Sequence, residues 1–184
     1  MFTLWFMGRP AAGKSTLARR VKARLSEAGY SIENLDGDDL REQFHPNLGF
    51  SREDRRINNR RTAYIAKLLN RNGVPVAVGM ITPFRKSQSQ ARDIVEDAGG
   101  DFVLIYVKCS VETAKKRDPK NLYQQAKAGN IDNFTGINHP FQKPRHPDIV
   151  VDTETQSVAE SVDDILRQLQ SIGVLDEGAT ELGG

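Results

Sequence analysis

Cysteine occurs once in the 184-residue chain, at Cys109. An internal disulfide is therefore excluded, and a reducing cytoplasmic setting is expected. Cys109 follows an apolar run and no activating motif surrounds it, so it reads as a small buried thiol, not a nucleophile. No apolar run approaches the ~18 residues of a membrane span, and Met1–Met7 passes straight into Gly8 without a charged leader and long apolar stretch. Neither a membrane segment nor a signal peptide is expected. Charge of one sign is not in excess: 26 basic against 24 acidic side chains leave a net charge of +2. That balance argues against a general nucleic-acid binder. The base-reading segment N-K-x-D of GTPases is absent, as are internal repeats and low-complexity segments.

What is present is an alternation of apolar runs and helical patterns. FTLWFM (Phe2–Met7) reads as a buried strand, and Lys14–Ala28 as a helix stopped by Gly29. Ser31–Leu35 is a short strand. Ser51 is a helix N-cap with Asp54 at the capping-box position, and that helix runs to about Asn72. Val74–Ile81 is a strand, Ser87–Asp97 a helix, Phe102–Val107 a fully buried strand and Val111–Lys116 a short helix. Arg117–Pro147 reads as irregular and polar, Asp148–Asp152 as a last strand and Val158–Ile172 as a last amphipathic helix. Five strands alternating with helices predict an α/β, three-layer P-loop NTPase-type fold, with a mainly parallel five-stranded sheet covered on both faces. The expected organisation is one domain over residues 1–175, with a lid at about 117–147 and a disordered tail at 176–184.

Ligands of such sheets bind beyond the carboxyl ends of the strands. GRPAAGKST (Gly8–Thr16) stands there and fits G-x-x-x-x-G-K-[ST]. Gly8 and Gly13 permit the backbone turns that aim successive amides at phosphate oxygens, and the following helix adds its positive end. Gly8, Arg9, Pro10, Ala11, Ala12, Gly13, Lys14, Ser15 and Thr16 are thus the ATP-binding candidates. Lys14 reaches the β- and γ-phosphates, and Ser15 is placed to ligate Mg²⁺. With no GTPase signature, a small kinase is the expected class, and the polar stretch from Arg117 suits a lid that excludes water. Asp36 and Asp38 follow the second strand, while the third ends GMIT without an acid. Asp36 is the first choice for the carboxylate that orients the acceptor hydroxyl or takes its proton, and Asp38 the second. Asp38 is also a candidate helix N-cap.

Four further stretches resemble the adenylyl-sulfate (APS) kinase family: LDGDDLR (Leu35–Arg41), LGFSREDRRINNRR (Leu48–Arg61), ITPFR (Ile81–Arg85) and RDPKNLYQQAKAGNIDNFTGI (Arg117–Ile137). With the phosphate loop they run in family order from residue 2 to about 153. The resemblance implies transfer of the γ-phosphoryl of ATP to the 3′-hydroxyl of adenylyl sulfate, giving 3′-phosphoadenylyl sulfate. It implies that Phe50 and Phe134 sandwich the acceptor adenine, and that Arg41, Arg55 and Asn58 serve its phosphosulfate and ribose. Asp36, Ile81 and Thr82 complete the acceptor site, Thr82 being a candidate phosphoacceptor at the family's Ser. Arg117 and Thr153 fall on the ATP side, Arg117 to stack on adenine or steady transferring charge. Family members are commonly homodimers.

The sequence departs from the family pattern at Asp39, Ile57, Asn59, Asn121, Gln124 and Gln125. Gln124 and Gln125 replace a Lys-Lys pair, which implies a weaker positive field on the lid and predicts that Gln124→Lys tightens acceptor binding. These changes keep open a related kinase with another nucleotide-linked or sugar acceptor. Arg52, Arg56 and Arg60 read as a solvated helix face.

Overall fold

The computed structural model describes residues 1–176 except 132 and 138. The elements in chain order are β1 (Phe2–Met7), α1 (Lys14–Glu27), β2 (Glu33–Asp36), α2 (Gly37–Gln43), α3 (Arg52–Arg71) and β3 (Val76–Met80), followed by α4 (Arg85–Glu96), β4 (Asp101–Lys108), α5 (Val111–Arg117), α6 (Leu122–Lys127), β5 (Ile149–Asp152) and α7 (Val158–Ser171). The strands form one sheet in the order β2-β3-β1-β4-β5, with every pairing parallel.

The alternation of side chains along a strand explains the layering. In β1, Leu4 and Phe6 point into a core shared with Leu17, Val21 and Leu25 of α1 and Ile165 and Leu169 of α7. Trp5 and Met7 point the other way, into a core with Ala63 and Ala66 of α3 and Ala91 and Val95 of α4. Both faces are covered, so the central strands are mostly apolar, and the buried Thr3 of β1 is hydrogen-bonded. β1 lies between β3 and β4, and the strand order reverses direction about it. The crevice at the carboxyl end of β1 is therefore the switch point where such sheets take ligands.

Local boundaries shift for identifiable reasons. β3 starts after Pro75, which lacks an amide donor, although its carbonyl accepts from Glu33 N at 2.9 Å. β2 reaches Asp36, and α2 follows at once. Asp36, not Asp38, is the N-cap: its Oδ1 accepts from Asp38 N at 2.9 Å. Ser51 caps α3 as expected, and its hydroxyl donates to Asp54 Oδ2 at 2.6 Å. The stretch expected to be irregular contains α6. The buried Asp118 carboxylate accepts from Tyr123 N at 3.0 Å and Gln124 N at 3.2 Å, so two orphan amides of the first turn are satisfied. Residues 177–184 of the expected disordered tail lie outside the described residues. No helix among the described residues is long and apolar enough to cross a membrane.

Asn70, near the end of α3, ties that helix to the sheet. It accepts from Thr3 Oγ1 at 2.9 Å and donates to Phe2 O at 3.2 Å and Val74 O at 3.0 Å. Replacing it with Ala removes the partner of three polar groups remote from the crevice, two of them in buried hydrogen bonds. Asn70→Ala is expected to lower the unfolding free energy by about 2–4 kcal/mol in urea titrations while leaving turnover unchanged.

Candidate active site

The phosphate loop is made by close backbone approach. A Cβ on Gly8 would stand 2.4 Å from Val107 O, so glycine is required where β1 leaves the sheet beside β4. Ala11 and Gly13 take positive φ values of 59° and 99°. The first intrahelical bond of α1 is Leu17 N to Gly13 O at 2.9 Å, which leaves the Lys14, Ser15 and Thr16 amides at the open, positive end of the helix. Lys14 is buried and folds back to donate to Arg9 O at 2.7 Å. Burial pushes its ammonium down to about 8, against the raising pull of Asp38 and Asp36.

A cleft of about 410 Å³ opens from this loop. It brings together Lys14, Ser15, Asp36 and Asp38 with every residue expected to hold the acceptor: Arg41, Phe50, Arg55, Asn58, Ile81, Thr82 and Phe134. Segments far apart in sequence meet because β2, β3 and the loop after β1 all end on this side of the sheet. Arg55 is buried; its Nε donates to Phe50 O at 3.1 Å and its NH2 to Asn133 O at 2.9 Å. Arg41 donates to Leu48 O at 3.0 Å and Gly49 O at 2.6 Å. Among the described residues neither guanidinium has a carboxylate within ion-pair distance. Burial, and then the neighbouring Arg41, pull Arg55 down to about 10. Asp54 and Asp38 pull on Arg41 only from a distance, and a site that holds two guanidiniums without ion-pair partners at the price of desolvation is suited to an anion.

The aromatic walls differ from each other. Phe134 is buried and meets Tyr123 edge-on, with ring centroids 4.9 Å apart. Phe50 is 49% exposed, and the Arg41 and Arg55 guanidiniums lie 4.7 Å and 5.4 Å from its ring centroid. The ring therefore belongs to the cation cluster as well as to the cleft. Tyr123 also donates to Pro10 O at 3.1 Å, and Arg9 lies 4.8 Å from the Phe141 centroid, so the lid stretch rests on the phosphate loop. Arg117 and Thr153 are outside the acceptor cleft. Arg117 donates to Thr153 Oγ1 at 3.0 Å and to its carbonyl, and Thr153 Oγ1 approaches Ala12 O at 3.1 Å. They stand beside the loop on the β4–β5 side, the side expected for ATP.

Thr82 is 1% exposed and has φ of 43°, a strained conformation for a β-branched residue. Trp5 Nε1 donates to its Oγ1 at 2.8 Å. An indole N–H is donor-only, so the Thr82 hydroxyl proton goes to Asn59 Oδ1, also at 2.8 Å. Asn59 Nδ2 in turn donates to Arg55 O at 2.7 Å. The hydroxyl is committed to Trp5 and Asn59, which speaks against Thr82 as phosphoacceptor. Two departures from the family pattern, Asn59 and Thr82, are thus hydrogen-bonded to each other.

The remaining departures also find reasons. Asn121 has φ of 55°, a left-handed conformation that Asn tolerates better than most residues, where the family has Gly. Gln124 and Gln125 are exposed on α6 and do not line the cleft, so the expectation that Gln124→Lys tightens acceptor binding is not supported. Within the stretch expected to form a lid, Lys120 is the cation that lines the cleft, and its Nζ lies 2.6 Å from Asp38 Oδ2. Sequence reasoning missed Lys120, although it sits inside the quoted R-D-P-K motif. It also missed His45, which is buried with Nδ1 2.6 Å from Asn58 Oδ1. No local pattern announces that contact.

Fold and site together define a P-loop nucleotide-dependent phosphotransferase. The family model described as adenylylsulphate kinase matches residues 1–152. A protein of Halothermothrix orenii named adenylyl-sulfate kinase is 40% identical over 182 residues, spanning 99% of this chain and 96% of its own. The chain belongs to the adenylylsulphate kinase family. The structure of the Mycobacterium tuberculosis APS kinase in complex with AMPPNP and APS superposes with a TM-score of 0.89 at 38% identity, covering 92% of this chain and 97% of that one. A hexameric APS kinase from Thiobacillus denitrificans superposes with a TM-score of 0.72 at 32% identity, covering 95% of this chain and 30% of that one.

Lys14 has a consequence for pH dependence. Between its folded value of about 8 and its ordinary 10.5, the unfolded chain binds the proton and the folded chain does not. Stability of the nucleotide-free protein therefore rises with pH across that window, by about 3 kcal/mol from this group. Lys14→Met should remove that slope and be more stable than wild type at pH 7, in urea unfolding from pH 7 to 10.5. It should also lose nearly all turnover.

Proposed function

We propose that the protein transfers the γ-phosphoryl group of ATP to the 3′-hydroxyl of adenylyl sulfate, producing 3′-phosphoadenylyl sulfate and ADP. The observation that carries this reading is one cleft lined both by the phosphate loop and by Arg41 and Arg55, neither of which is in an ion pair among the described residues. Phosphates of ATP lie on the amides of the loop and the start of α1, with the ATP base on the Arg117–Thr153 side. The acceptor's phosphosulfate lies on Arg41 and Arg55, and its adenine against Phe50 and Phe134. Its ribose hydroxyl then faces Asp36, which stands between the two ends and takes the proton as the phosphoryl group arrives. Lys14 neutralises charge that builds on the migrating group. The lid, about 117–147, shields transfer from water.

The residues present fit Mg²⁺. Ser15 lines the cleft beside Asp36, and β3 passes near, a Cβ on Gly79 standing 3.5 Å from Ser15 Cα. Among the described residues no group of three or more His, Cys, Asp or Glu could hold a metal unaided. That suits an ion bound mainly through substrate phosphates. Ser15 and, through water, Asp36 would hold it, and it would supply charge neutralisation at the phosphates. A single kinase domain over 1–175, a homodimer and a cytoplasmic location complete the reading.

Incubation with ATP, Mg²⁺ and adenylyl sulfate should yield 3′-phosphoadenylyl sulfate and ADP. Phosphorylation of another nucleotide-linked or sugar acceptor with no action on adenylyl sulfate would overturn the reading. Phe50→Ala should raise the acceptor KM by about 5- to 100-fold, the loss of one stacking face, with the ATP KM unmoved. Asp36→Asn should lower kcat by about a hundredfold or more with both KM values near wild type.

A further inference from the structure

Asn58 projects from the second turn of α3 into the acceptor cleft, and half of its carboxamide is already used. Its Oδ1 lies 2.6 Å from His45 Nδ1. Its Nδ2 has no hydrogen-bond partner among the described residues and faces the cleft. Asn58 is 3% exposed and His45 4% exposed, so water does not compete for the contact between them. The backbones of both residues are held. His45 N donates to Leu40 O at 3.0 Å, and His45 O accepts from Leu48 N at 3.0 Å. The Asn58 carbonyl accepts from Thr62 Oγ1 at 2.9 Å.

An imidazole nitrogen and a carboxamide can bond in two ways. Either Nδ1–H donates to Oδ1 and the cleft meets an NH₂ group, or the amide donates to a bare Nδ1 and the cleft meets a carbonyl oxygen. Arg41 and Arg55 line the same cleft with donors only, and among the described residues neither has a carboxylate within ion-pair distance. A carbonyl oxygen there would repel the anion those guanidiniums are placed to hold, whereas two amide hydrogens extend the same donor surface. We infer that His45 is a positioning residue: through its Nδ1–H it fixes Asn58 as a hydrogen-bond donor to the acceptor's oxygens. The inference rests on the reading of this cleft as the acceptor site. His45 touches no substrate itself. Its role is to prevent the amide flip that would set an oxygen against phosphosulfate or ribose oxygens.

Two measurements test this. In ¹⁵N-histidine-labelled protein, the His45 resonances are assigned by their loss in His45→Asn, the chain having three histidines. The inference expects a proton-bearing Nδ1. A bare Nδ1 overturns it, whatever the acceptor proves to be. In initial-rate kinetics, His45→Ala should raise the KM for adenylyl sulfate about tenfold, with kcat and the ATP KM changed less than about twofold. Asn58→Ala should match it, and the double variant should be no worse than Asn58→Ala alone. His45→Asn should return the KM to within about threefold of wild type, because an Asn Nδ2 stands close to where the imidazole Nδ1 was. Should His45→Ala not fold, His45→Phe keeps a ring and deletes the donor. Equal damage to the ATP KM and kcat, failure of His45→Asn to rescue, or multiplying effects of the two single variants overturns the positioning role. Wild type that ignores adenylyl sulfate overturns the function proposed above, and the imidazole spectrum then still decides this inference.

Discussion

Positive charge is held at low exposure where the parallel strands end, and the rest of the molecule is arranged around it. Lys14 is buried in the phosphate loop and Arg55 in the wall of the cleft, with Arg41 half-buried beside it. Among the described residues none of the three has an ion-pair partner. Desolvating such groups is unfavourable, and only a strong scaffold or an incoming anion offsets it. The scaffold is the sheet, apolar on both faces, which fixes the ends of β1, β2 and β3 against each other. In the function proposed above the anions are the substrates' phosphates and sulfate, and the unliganded protein then holds in reserve the interactions that binding completes.

The same constraint explains the acids nearby. Asp36 and Asp38 raise the proton affinity of Lys14 without touching it. Asp36 caps α2, which fixes it in space, and Asp38 reaches across to Lys120 of the lid stretch. That pair is exposed on both sides, so it is worth little energetically. Its meaning is geometric: it fixes the Lys120 cation at the cleft, which Gln124 and Gln125 do not line.

Polar networks beneath the cleft floor serve precision more than affinity. Trp5, Thr82 and Asn59 form a chain of hydrogen bonds whose direction is set by the donor-only indole. It holds Thr82 in a strained backbone conformation where β3 gives way to the turn before α4. His45 and Asn58 form a second, shorter chain. Both depend on low exposure, since water would dissolve the preference for one partner.

Much was legible in the sequence because it rests on local periodicity and spacing. The five strands, the phosphate loop and the Ser51 cap follow from neighbours within a few residues, and the chemistry of Gly8–Thr16 is written in its own spacing. Arg41, Phe50, Arg55 and Asn58 were legible as candidate site residues through resemblance, and the tertiary structure gathers them into one cleft. Other features were decided by contacts between residues remote in the chain. Lys120 meets Asp38 across 82 positions and Trp5 meets Thr82 across 77, so no window of sequence contains both partners. Even the 13 positions from His45 to Asn58 span the loop after α2 and the start of a new helix. Whether Asp36 or Asp38 caps a helix, and whether the Thr82 proton is free, depends on which atoms lie within about 3 Å once the strands are registered. Sequence determines the residue types and their local conformations; only folding decides which lone pairs and protons are left for a substrate.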